Sequence, residues 1–144
     1  MDILTAMKIS GSALKAQRAR LNIAAMNLAN ANTTRTIEGG PYRAKSVVFA
    51  ARPLEENFQD KLDAASEKLR KVEVVKVEED KAPFKEIYDP NNPDADENGI
   101  VKMPNVNEVE QMVDILEARR SYEANVTALD AAKSMALSAL DISR

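Results

Sequence analysis

GSALKAQRARLNIAAMNLANANTTR, Gly11 to Arg35, is the stretch that decides the fold of this 144-residue chain. Alanine, leucine and methionine carry it as far as Met26. Three asparagines and two threonines then fall within the nine positions from Asn27 to Arg35. Extended back to Ile3, the run predicts one helix over residues 3 to about 30. At about 100° per residue, Ile3, Met7, Leu14, Leu21, Ala25 and Leu28 form one apolar stripe. Ile9, Ala13, Ala16 and Ile23 form another, well around the helix, and Lys8, Lys15, Arg18 and Asn22 make the only continuous polar face. A surface helix needs one apolar stripe, so two stripes imply neighbours on both sides. Ser10-Gly11 softens the helix near its start, because glycine costs about 1 kcal/mol relative to alanine in a helix interior.

The closing amides have two readings. Asparagine tolerates the left-handed conformation that ends helices, and Asn-Thr-Thr suits a turn. Alternatively, Asn27 and Asn30 are enclosed by neighbouring helices and set their register, since a wrong register leaves a buried amide unpaired. Both readings stand, and each can hold for a different asparagine.

Outward from this stretch, residues 106 to about 142 read as a second long helix. Asn105 after Pro104 is a candidate N-cap, with Glu108 three residues on as in a capping box. Ile115, Tyr122, Leu129 and Ala136 recur every seven residues, with Met112, Val126 and Leu140 on the adjoining line. This is a coiled-coil-like seam, interrupted by Arg119 and Lys133. Val109, Val113, Leu116, Ala124, Ala131 and Met135 add a second apolar side. The two helices would be roughly 40 Å and 55 Å long. They carry one aromatic between them and much alanine, so a lone pair buries little. They are expected to be poorly ordered in an isolated monomer and to order on assembly.

The sequence between them differs. All six prolines and three of the four glycines lie between residues 37 and 104. Arg43 to Ala51, Lys71 to Glu79 and Phe84 to Asp89 read as short strands. Over 53–71, Leu54, Phe58, Leu62, Ala65 and Leu69 share one helical face. The expected fold class is α+β. Residues 1–36 and 105–144 form a coiled-coil-like layer, and 37–104 form a small, mainly β middle domain with an extra helix at 53–71.

The composition narrows the functions. The chain has no cysteine and no histidine, which counts against most hydrolytic, redox and zinc-dependent chemistry. No convergent catalytic set stands out, and the expectation is a non-enzymatic protein without cofactor or small-molecule substrate. A net charge of −3 argues against nucleic acid as a main partner. Residues 1–36 hold five cations and one anion, whereas residues 106–144 hold four cations and seven anions. Opposite charge on the two ends suits them as neighbours. No run is apolar enough to span a membrane, and MDILTAMKISG lacks the basic leader of a secretory signal.

One stretch imitates a calcium loop: DADENGIVKMPN, Asp94 to Asn105. Asp94, Asp96 and Asn98 stand at positions 1, 3 and 5 and Gly99 at position 6, but position 12 is Asn105 instead of the bidentate glutamate. The plainer reading is a polar turn ending in the helix N-cap. A calcium-binding module and a cytoplasmic coiled-coil scaffold are the alternatives to an assembly protein. Met7, Met26, Met112 and Met135 lie at helical spacing, as packing residues do.

Two long motifs carry a resemblance. GSALKAQRARLNIAAMNLANANTTRTIEGGPYRAKSVVF, Gly11 to Phe49, resembles the first signature of the flagellar basal-body rod family. YDPNNPDADENGIVKMPNVNEVEQMVDILEARRSYEANV, Tyr88 to Val126, resembles its second. Asn27, Leu28, Ala29 and Asn30 match the rod signature motif, and GGPYR with the DPNNPDADENG turn is more particular to the proximal rod. The resemblance implies a structural component of the bacterial flagellar basal body, in the periplasm-spanning rod between the membrane ring and the hook. It implies type III export without a cleaved signal peptide. It also implies helical assembly with copies of itself and other rod proteins, beside the export apparatus and basal-body ring. Leu14, Leu21, Leu28, Ile115, Tyr122, Val126 and Leu129 are the expected subunit-packing residues. Residues 53–71 read as an insertion relative to the family pattern.

Overall fold

The computed structural model describes residues 3–54 and 69–142. Helix α1, Ile3–Ala29, runs unbroken through Gly11, and helix α2 spans Glu108–Ile142. They pack antiparallel: Asn27 near the end of α1 meets Gln111 near the start of α2, and Arg20 reaches Asp114 and Glu117. The residues buried in the helices are Ala16, Ala24 and Asn27 on α1 with Ala118 and Ala132 on α2, and the four alanines leave room for close approach. The α2 helix has 35 residues against 27 in α1. The excess of eight extends its last two turns, about 10 Å, past the start of α1.

Strands β1, Lys45–Pro53, and β2, Arg70–Glu79, form an antiparallel hairpin with Lys45 opposite Glu79 and Pro53 opposite Arg70. Val48 faces Lys76 but Phe49 faces Val74, which leaves Val75 as an extra residue. Such a bulge sharpens the local twist. The hairpin lies along α1, because Asn27 binds Lys45 at one end and Ser12 Oγ accepts from the Val72 amide, 3.1 Å, towards the other. The Leu54 amide donates to the Leu69 carbonyl at 3.1 Å and closes its far end. Strands β3, Lys85–Tyr88, and β4, Ile100–Met103, make a second antiparallel hairpin, with no pairing between the two. Ala31, Tyr42, Ala44 and Val106 cluster where the first turn, β1 and the approach to α2 converge.

Several expectations are corrected. Strand β4 falls within the calcium-like stretch, in residues read from sequence as turn and cap. Asn105 is not the helix cap: its Oδ1 accepts from the Ala44 amide at 2.8 Å and its Nδ2 faces the Asp80 and Ala82 carbonyls. The helix begins at Glu108, and the Gln111 amide donates to the Asn107 carbonyl. Tertiary partners have taken the side chain that a local cap would use. The ends of the 53–71 segment, Pro53 and Arg70–Lys71, are strand residues. Leu54 and Leu69 are not helical either, and 55–68 lies outside the described residues.

Candidate functional site

Asn27 organises the chain. It is 2% exposed, and both ends of its amide are committed. Oδ1 accepts from the Tyr42 hydroxyl and the Lys45 amide, each at 2.9 Å. Nδ2 donates to the Lys45 carbonyl at 2.7 Å and to Gln111 Oε1 at 2.9 Å. One side chain thereby joins α1, the start of β1 and α2. Only an amide can do this, because the four partners require two acceptor positions and two donors. Burial, and secondarily the Glu79 carboxylate, push the Tyr42 phenol above its ordinary value, so it stays protonated as the donor.

Asn30 acts locally. Its Nδ2 donates to the Met26 carbonyl at 2.8 Å, satisfying an acceptor in the last turn, and its Oδ1 accepts from Thr33 Oγ1. The two asparagines therefore take different tasks. Leu28 is half-buried and Ala29 is exposed.

A second knot supports the first. Arg43 donates to the Asp80 and Ala82 carbonyls, and its guanidinium lies 4.3 Å from the centre of the Phe84 ring. Asn105 approaches the same two carbonyls. Lys85 Nζ donates to the Val106 carbonyl at 2.6 Å. These contacts tie the β2–β3 connection to the entry of α2. Tyr42, Gln111 and Arg43 were not singled out from sequence as functional. The GGPYR motif was the only signal near Tyr42 and Arg43.

The expected packing residues are neither fully buried nor fully exposed. Leu14, Leu21, Leu28, Ile115, Tyr122, Val126 and Leu129 are all half-buried. A different set faces outward from the start of α2: Val109, Met112, Val113 and Leu116 are 48–70% exposed. By helical angle this set lies opposite Ala118 and Ala132, away from α1. Contiguous exposed apolar side chains of this kind mark interaction surfaces.

An open cleft of about 1290 Å³ lies between the first hairpin and the start of α2, lined by Arg20, Asn27, Phe49, Glu79, Gln111 and Asp114 among others. It exceeds the roughly 300–1,000 Å³ of small-molecule pockets, and its walls carry both charges. In the calcium-like stretch, Asp94 Oδ2 accepts from Thr34 Oγ1 and Asp96 Oδ1 accepts from the Asn98 and Ile100 amides. Those carboxylates hold the turn, with Gly99 at φ +77°. Among the described residues no three carboxylates converge on one point.

A close-packed helix pair, clamped through one asparagine and carrying apolar side chains outward, defines a helical structural module with an exposed apolar face. Comparison with known proteins makes the class specific. Residues 7–35 match the family model described as flagella basal body rod protein, and residues 97–142 match flagellar basal body rod FlgEFG protein C-terminal. The chain is 47% identical over 143 residues to the flagellar basal-body rod protein FlgC of Salmonella typhimurium, covering 99% of this chain and 98% of that one. It is 40% identical over 151 residues to FlgC of Borreliella burgdorferi, covering 99% and 98%. It is also 40% identical over 152 residues to FlgC of Bacillus subtilis, covering the whole of both. The chain belongs to the FlgC family of flagellar basal-body rod proteins.

Proposed function

We propose that this chain is a structural, non-enzymatic subunit of the proximal flagellar rod. Its terminal segments, 3–36 and 105–142, pack with those of neighbouring subunits into a hollow, periplasm-spanning shaft that transmits torque. Residues 37–104 lie outside that layer. The subunit passes the flagellar export apparatus without a cleaved signal and sits next to the basal-body ring. The observation that carries the reading is the outward apolar face of α2, which the described residues leave uncovered in a member of a rod family. A heterologous, head-to-tail contact repeated along a helix covers such a face and gives an open tube.

The test is Leu21→Asp combined with Leu129→Asp, both half-buried in the single chain. Swimming and recovery of the chain in purified basal bodies are expected to be lost, while the strand signal of the middle region persists. Wild-type swimming by this variant contradicts the reading.

A further inference from the structure

We infer that the outward face of α1 around Gly11 is the seat for the outward apolar face of α2 in a second copy of this chain, an inference that rests on the rod reading. Gly11 lies inside α1, where glycine costs about 1 kcal/mol relative to alanine. Backbone conformation does not require it, since the positive-φ glycines are Gly39, Gly40 and Gly99. Packing against the described residues does not require it either: a Cβ added at Gly11 meets none of them within 4 Å. We read it as room left for a close approach from outside the molecule.

The face that Gly11 shares is a distinct one. By helical angle Gly11 lies with Lys15, Arg18, Asn22 and Ala29, on the side of α1 away from buried Ala16 and Asn27. This stripe carries exposed cations, and α1 holds no acidic residue. The start of α2 is its complement. Val109, Met112, Val113 and Leu116 project outward, Glu108 and Glu110 are exposed beside them, and no cation occurs before Arg119. The helices are antiparallel within a subunit, so subunits set side by side bring one copy's α1 against the next copy's α2 in antiparallel sense. With Leu116 seated at Gly11, Lys15 comes level with Met112 and Arg18 with Val109, beside Glu108 and Glu110. Leu116 then enters the gap left at Gly11, and unlike charges meet on either side of it.

The primary test is Gly11→Leu. Leucine is the better helix former, so the thermal transition of the purified chain is expected to hold or rise. Rod incorporation and swimming are expected to be lost, with a milder defect for Gly11→Ala. Wild-type swimming by Gly11→Leu overturns the inference. Cross-linking decides the matter even if Gly11→Leu folds poorly. The chain has no cysteine of its own. Lys15→Cys with Met112→Cys is expected to give an intermolecular disulfide ladder in oxidised basal bodies, and neither single variant should. The double variant recovered in basal bodies without a ladder overturns the inference and leaves the rod reading intact. Absence of the wild-type chain from purified basal bodies overturns the rod reading itself.

Discussion

At the scale of single residues, the fold turns on an amide. Asn27 satisfies four hydrogen bonds from a site with 2% exposure, so truncating it strands four polar groups at once. Asn27→Ala is expected to cost about 3 kcal/mol in chemical denaturation. Asn30→Ala loses a helix-end contact and is expected to cost about 1 kcal/mol. Equal costs would contradict the division of labour between them. Tyr42 adds a pH dependence. Its phenol is raised by burial first and by Glu79 second. The unfolded chain releases this proton near pH 10, and the folded chain does so only at higher pH. The contribution is fully present below about pH 10 and is lost as pH rises through the folded value. Wild type is therefore expected to lose more stability than Tyr42→Phe in denaturation titrations from about pH 9 to about pH 11. Equal losses would remove Tyr42 from the alkaline response. The sequence raised both roles for these asparagines but could not distribute them. The partners that decide, Tyr42 and Gln111, lie 15 and 84 residues from Asn27, beyond the reach of local pattern.

At the scale of elements, what periodicity can express was readable and what depends on tertiary contact was not. The long apolar repeats placed both helices within two residues of their ends. Valine alternation placed β2, and Arg43 to Ala51 overlapped β1. Strand β4 has four residues and its pattern was absorbed into a loop motif, so it was missed. It exists because β3 pairs with it across the turn that Asp96 and Gly99 shape. Gly99 is at φ +77°, and an added Cβ would lie 3.0 Å from Tyr88 Cε2 and 3.2 Å from Pro90 Cβ. Gly99→Ala is expected to destabilise this hairpin by about 1–2 kcal/mol. Hydrogen exchange should show faster amides in 85–103 with α1 unaffected. Unchanged exchange there would mean that the turn relaxes at no cost.

At the scale of the whole molecule, two surfaces compete to explain the chain. The inner surface joins α1 to α2 through alanines, one asparagine clamp and an ion pair whose side chains are about one-third exposed. Such a pair adds roughly 0–1 kcal/mol, and burial of alanine contributes little per residue. The outer surface holds several large side chains: Leu4, Val109, Leu116, Met135 and Leu137 are each more than half exposed. On the rod reading, we propose that neighbouring subunits complete the order of these helices, which would otherwise open readily. The most direct measurement is hydrogen exchange across 3–36 and 105–142, made on the dilute purified chain and on assembled basal bodies. Fast exchange in the dilute chain and strong protection in the assembly are the expected result. Equal, strong protection in both states would contradict the claim that these helices are completed by other subunits.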